Sequence, residues 1–214
     1  MSVLLDNLNQ FLTRFGGTIG LFVLSAIASL LLGVLLAALR VSPVPAMRAV
    51  GTAYVTLLRN TPLTLVLFFF ALGFPRIFFD LPFFVLAVIG LSLYTAAFVC
   101  ETVRGGISTV PSGQAEAARA LGLGFLPTLT LVVLPQAVRT VVPPLTSVQI
   151  ALLKNTTVAA GFSVFEAGGF YRAVNEQGGS TLVALLWVAL GFVILVVPLT
   201  VLQRRLEKRW SVAR

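Results

Sequence analysis

The sequence contains no histidine and a single cysteine, Cys100, among 214 residues. Without histidine, the usual base for a serine or cysteine nucleophile and the commonest metal ligand are gone. One cysteine rules out an internal disulfide and a cysteine-based metal site, and its place inside an apolar run makes Cys100 a packing residue. Charge is scarce too: 10% of the residues are Asp, Glu, Lys or Arg, against roughly 25% in ordinary soluble domains. The pattern Gly-x-x-x-x-Gly-Lys-Ser/Thr does not occur, so there is no P-loop. Internal repeats and low-complexity tracts are also missing. Enzyme chemistry built on paired catalytic groups is disfavoured.

What remains is apolar. Hydrophobic residues make up 58% of the chain and the mean hydropathy is +1.02. A bilayer core about 30 Å thick takes about 20 apolar residues per helix. By that measure the sequence predicts an all-α integral membrane protein with about five spans, near residues 17–39, 51–73, 81–103, 140–165 and 181–202. Phe15 to Leu39 is uncharged, longer than the apolar core of a signal peptide, and lacks a basic leader, so it reads as a retained helix. Arg40 to Arg48, with Pro43 and Pro45, breaks the chain after it. Pro111, Pro127 and Pro135 divide residues 104–139, which read as a connecting loop rather than a span. Pro143, Pro144 and Lys154-Asn155-Thr156-Thr157 predict a tilted or locally unwound fourth span, a feature tolerated only against protein or a cavity. Pro198 predicts a kink at the end of the last span.

The formal charge of +8 is distributed over the breaks between apolar runs, which argues for topology and against nucleic acid. Arg40, Arg48, Arg104, Arg119, Arg139, Arg204, Arg205, Lys208, Arg209 and Arg214 fall on one side, and Arg14, Arg76 and Arg172 on the other. The rich side is expected to be cytoplasmic. That places residues 1–16 outside as an extracytoplasmic segment, residues 17–207 as the transmembrane domain with loop 104–139 inside, and residues 208–214 as a cytoplasmic tail. Five spans cannot divide into equal inverted halves, so the chain reads as half of a pore completed by a second copy or a paralogue.

Loop 104–139 holds Glu116-Ala117-Ala118-Arg119-Ala120-Leu121-Gly122, followed by Val132-Val133-Leu134-Pro135. Its alanines favour a helix, with Ser112 placed to cap it, Glu116 near the positive end of its dipole, and Gly122 ending it in the left-handed conformation. Leu58-Arg59-Asn60-Thr61-Pro62-Leu63, Glu101-Thr102-Val103-Arg104-Gly105-Gly106-Ile107, Leu134-Pro135-Gln136-Ala137 and Leu153-Lys154-Asn155-Thr156 are the other distinctive segments. Together these resemble the type I permease subunits of bacterial ABC importers, in their polar amino acid branch, over almost the whole chain. Asn60 stands where that branch usually has glycine and Val132 where it has isoleucine. Asn60, with Thr64 after Leu63, is similar to permeases for acidic amino acids, glutamate above all.

The resemblance implies a cytoplasmic coupling helix, carried by Glu116, Ala117, Ala118, Arg119 and Gly122, that docks into a separate ATPase subunit. It implies no cofactor in this chain, ATP and Mg being bound by the ATPase. The other implied partners are a second permease subunit, an extracytoplasmic solute-binding protein, the amino acid and membrane lipid, and the location is a bacterial inner or plasma membrane. Gly168-Gly169-Phe170-Tyr171-Arg172 is a docking candidate for the binding protein, or an ordinary connector.

Charges at membrane depth need a reason. Arg59 and Glu101 are candidates for the substrate path, or for packing, with Arg59 snorkelling and Glu101 paired to Arg59 or Arg104. Lys154, Asn155, Thr156 and Thr157 offer a cation, an amide and two hydroxyls that suit the α-carboxylate of a passing amino acid. Two other readings stay open: an ABC permease for another small polar solute, and an ion-coupled carrier. The carrier would need membrane carboxylates that cycle protons or bind cations, for which Glu101 is the sole basis.

Overall fold

Leu8–Val41 forms one 34-residue helix, α1, because apolar backbone in hydrocarbon must satisfy its N–H and C=O groups within its own segment. The structure is a computed structural model describing residues 7–210. Expectations for residues 1–6 and 211–214, Arg214 included, lie outside the described residues. Residues 8–16, expected from sequence to be extracytoplasmic, are helical and form the first turns of α1.

The remaining helices are α2 (Pro45–Asn60), α3 (Leu63–Phe68), α4 (Phe83–Ser108), α5 (Ser112–Ala120), α6 (Leu134–Asn155), α7 (Phe170–Glu176) and α8 (Thr181–Trp210). No strand occurs among the described residues. Among the described residues four helical stretches are long and apolar enough to cross a membrane, or five if a bent pair counts as one span.

That bent pair corrects the expectation of one continuous second span. α2 stops at Asn60, and the helix beginning at Leu63 leaves at 101°. Pro62 explains the stop: it disfavours helical geometry at Thr61 and cannot donate to the preceding turn. α3 then passes through a π-helical turn, Phe69–Gly73, into Phe74–Ile77.

The fourth span also differs from expectation. It starts at Phe125 instead of Thr140, and helix runs without a gap to Phe162. Phe125–Pro127 and a π-helical turn, Thr128–Val133, lead into α6, while Thr156–Phe162 is 3-10 helix. Much of the expected loop 104–139 is therefore helical. Pro143 and Pro144 sit inside α6 without ending it.

α1 and α4 form the central pair. Ser25, Ser29, Gly33 and Ala37 recur every four residues along α1 and are all buried. Small side chains at that spacing let two backbones approach closely in a membrane, where dispersion replaces the hydrophobic drive. A Cβ at Gly33 would collide with Val99. The two helices run in the same direction, since Gly20 faces Phe84, Ser25 Oγ donates to the Val88 carbonyl and Arg40 meets Glu101. α6 returns antiparallel to α4, with Gly106 against Val141 and the α6 C-terminal turns beside Tyr94. α8 runs back alongside α6, joined by a hydrogen bond from Gln203 to Ser147 Oγ. The ends of α1 and α8 that carry Arg40 and Gln203 thus lie with α5 at one end of the bundle. Arg14, Glu166 and α7 lie at the other.

Candidate functional site: a capped helix and an arginine cluster

Three groups of residues stand out, two toward the α5 end of the bundle and one at the opposite end. At the first end α5 lies across the π-helical turn before α6. Its N-terminus is Pro111, and Ser112 makes no capping bond, so the capping expectation is corrected. Glu116 is the fifth helical residue and exposed, one turn too far along for the dipole reading. The C-terminus does follow the sequence. Gly122 has φ +84°, its N–H donates to the Arg119 carbonyl at 2.9 Å, and Leu123 N–H donates to the Ala118 carbonyl at 3.1 Å. These are the paired bonds of a Schellman cap, which glycine adopts without a Cβ clash.

Ala118 is buried, whereas Glu116, Ala117, Arg119 and Gly122 are exposed. Arg119 Nε donates to the Ala115 carbonyl at 3.2 Å. Around the helix project Leu121, Phe125, Leu126 and Leu131, at 84, 79, 65 and 69% exposure. A cleft of about 170 Å³ beside the helix is lined by Ala115, Arg119, Phe125, Thr128, Leu129 and Val133. These apolar side chains follow the C-terminus of α5, Phe125, Leu126 and Leu131 at the start of the fourth span, while α5 itself is short, firmly terminated and exposed on all but the Ala118 side.

The second group is built on Glu101 of α4. Its carboxylate is hydrogen-bonded by Arg40 of α1 and Arg104 of α4, and Arg59 of α2 stands 3.8 Å away. The sequence offered Arg59 and Arg104 as partners and missed Arg40, the least exposed of the three at 15%. One carboxylate against three guanidiniums leaves the cluster positive. The Arg59 guanidinium also lies 5.6 Å from the ring centre of Phe98. Phe98 lines a cleft of about 210 Å³ between α4 and α6, with Tyr94, Thr95, Val148, Ala151, Leu152 and Asn155.

The candidate path residues separate here. Asn155 faces that cleft, and Arg59 and Glu101 adjoin it through Phe98. Lys154 is exposed and does not line it. Thr156 is fully buried, and its hydroxyl donates to the Leu153 carbonyl at 2.8 Å, so the sequence-based assignment of a free hydroxyl at Thr156 is corrected. Thr157 donates likewise to the Lys154 carbonyl at 2.8 Å. Both threonines secure the change from α-helix to 3-10 helix.

The third group was missed. Glu166 is 0% exposed at the end opposite α5. Thr18 Oγ1 donates to its Oε2 at 3.3 Å and accepts the Ala167 N–H at 3.0 Å. Burial pushes the Glu166 carboxyl above its ordinary value, opposed by the Gly168 amide, Thr18, the Gly169 amide and the Arg14 charge. Arg14 itself stacks 4.4 Å over the Phe165 ring. Glu166 lies between apolar runs, where a carboxylate reads as a solvated loop residue, and nothing local in the sequence announces its burial.

The sequence matches, over residues 29–212, the family described as "Binding-protein-dependent transport system inner membrane component". Glutamate transport system permease proteins GluC of Corynebacterium efficiens and Corynebacterium glutamicum are 42% and 41% identical to it, over 96% of this chain and 96% of each of theirs. A probable glutamine ABC transporter permease protein, GlnM of Bacillus subtilis, is 35% identical over 98% of this chain and 99% of its own. Among solved structures, an amino acid ABC transporter crystallised with histidines superposes with a TM-score of 0.91 at 23% identity, covering 96% of both chains. That likeness bears on the fold. The chain belongs to the family of binding-protein-dependent transport system inner membrane components, as a multi-pass membrane permease.

Proposed function

We propose that this chain is the translocation subunit of an ATP-driven importer for an acidic amino acid, glutamate foremost. The observation that carries the substrate is the similarity to two glutamate permeases over nearly the full chain. Electrostatics supports it. The cluster of Arg40, Arg59 and Arg104 around Glu101 adjoins the α4–α6 cleft, and excess positive charge beside a cleft attracts an anionic solute.

In this reading α5 faces the cytoplasm, the Glu166 end faces outward, and Glu116, Ala117, Ala118, Arg119 and Gly122 seat α5 in a partner ATPase that binds ATP and Mg. A solute-binding protein delivers cargo at the Glu166 end, and a second permease subunit closes the cleft. Hydrolysis belongs to the ATPase, not to this chain. Because α5 rests on the π-helical turn Thr128–Val133, a displacement of α5 passes directly into α6 and so to Asn155. Turning a bundle from almost wholly one facing state to the other takes about 5.5 kcal/mol of differential binding, which ATP closure of a docked partner is able to supply through a rigid helix.

The ion-coupled alternative fares worse, because Glu101 is held by arginines and Glu166, the buried carboxyl at the other end, lies between two spans and not within one, so neither forms a carboxylate relay at membrane depth. The test is uptake of labelled glutamate by vesicles containing the purified complex, with excess unlabelled glutamate, glutamine, arginine or histidine as competitor. Glutamate should compete most strongly. Preferential competition by arginine or histidine would reject an acidic substrate.

A further inference from the structure

A fully buried carboxylate is costly to keep, and Glu166 is placed where that cost has a mechanical use. It follows the 3-10 segment Thr156–Phe162, which continues directly from Asn155 in the α4–α6 cleft. The chain after that segment is irregular: Ser163 is left-handed at φ 60° and Glu166 is extended. Thr18 of α1 receives this stretch with two contacts, giving a hydrogen bond to Glu166 and taking one from Ala167. The single hydroxyl hydrogen has an alternative acceptor in the Arg14 carbonyl at 3.4 Å, so Thr18 is able to release Glu166 without being left unpaired. Gly17, the residue before Thr18, has no Cβ, and one built there would strike the Phe165 carbonyl. The close seat therefore depends on that glycine. Over it lies a cleft of about 220 Å³ lined in part by Arg14, Ser163, Val164, Phe165, Arg172 and Glu176.

We propose that Glu166 and Thr18 are a positioning pair that latches the 156–169 segment onto α1, closing the substrate path at the end remote from α5, and that the latch parts once in each transport cycle. The proposal rests on the importer reading for its cycle but not on the identity of the cargo. Opening requires the Thr18–Glu166 bond to exchange for the Thr18–Arg14 bond while solvent from the overlying cleft reaches Val164 and Glu166. Closing restores a dry carboxylate and draws Asn155 back with its segment.

The test measures maleimide labelling of Val164→Cys, a site 5% exposed, in the permease–ATPase complex reconstituted in vesicles without substrate. Native Cys100 is 0% exposed and serves as the background control. Adding Thr18→Val should raise the labelling rate about tenfold, the scale set by losing a buried hydrogen bond to a carboxylate. Thr18→Ser, which keeps the hydroxyl, should restore the parental rate. Serine rescue assigns the effect to the hydroxyl contacts with Glu166 and Ala167 and not to side-chain volume, and the dependence on ATP separates a latch from a static contact. In the parental Val164→Cys complex, ATP with the binding protein should accelerate labelling by a similar factor, and this arm needs no Thr18 variant to fold. Parental labelling rates in Thr18→Val, or rates unmoved by ATP and binding protein in a preparation that takes up substrate in a parallel assay, would overturn the latch. Should the importer reading fail instead, uptake would be insensitive to ATP while the difference between Thr18→Val and Thr18→Ser persisted.

Discussion

Replacing Glu101 with glutamine removes the one negative charge shared by Arg40, Arg59 and Arg104. Breaking a fully buried ion pair costs about 3–5 kcal/mol, and breaking an exposed one about 0.2–1 kcal/mol. Exposures of 27% for Glu101 and 15% for Arg40 put their pair between these limits, whereas Arg59, at 45% and 3.8 Å, sits near the exposed one. The expected loss for Glu101→Gln is about 2 kcal/mol, most of it through Arg40, including repulsion among three guanidiniums that lose their common partner. For a chain of this size that is a fall of roughly 4–8 °C in Tm. The assay is thermal unfolding of the purified complex, repeated for Arg40→Gln and the double variant. The cycle should show a coupling of about 1–2 kcal/mol, while the equivalent cycle with Arg59→Gln should be additive within about 0.5 kcal/mol. A Glu101→Gln complex that melts within about 1 °C of the parent, or an additive Arg40 cycle, would refute this view of the cluster.

Gly122→Val forces a β-branched residue to φ +84° and should cost about 1–2 kcal/mol locally, seen as weaker ATPase copurification and lower uptake with the bundle still folded. Lys154 is exposed and lies outside the α4–α6 cleft, so Lys154→Ala should leave both assembly and coupled uptake near the parental level; a loss of uptake with assembly intact would return Lys154 to the substrate path. Glu166 predicts a pH dependence of stability. Its folded-state value lies above 4.5, so below that pH both states are protonated and the stabilisation is complete. As pH rises through the raised value, the unfolded chain ionises freely while the folded one must hold a desolvated charge, and Tm falls. The groups facing it, Arg14, the Gly168 and Gly169 amides and Thr18, limit the fall. Glu166→Gln should flatten this slope, read by melting between acidic and neutral pH.

The first, third and last spans were legible because each is a long apolar run whose helix needs only its own backbone. The break at Asn60–Pro62 was not, although Pro62 was in view, since the apolar run continues through it and composition does not record direction. The helical start at Phe125 was hidden for the opposite reason: Pro127 and Pro135 read as breakers, yet Pro127 falls in an opening turn and Pro135 in a stretch entered through a π-helical turn. Gly122 could be read because left-handed geometry selects glycine locally. Arg40 as a partner of Glu101 could not, as it depends on α1 and α4 running parallel, which spacing along one chain does not encode. The same holds for Thr18 and Glu166, 148 positions apart.

The most direct test of the importer reading is accumulation of labelled glutamate in vesicles holding this permease with its ATPase and binding protein, compared with ATP inside the ATPase compartment, without ATP, and with an imposed proton or sodium gradient alone. Glutamate should accumulate only with ATP, and the gradient alone should leave the signal at background. Accumulation under the gradient without ATP would contradict the account.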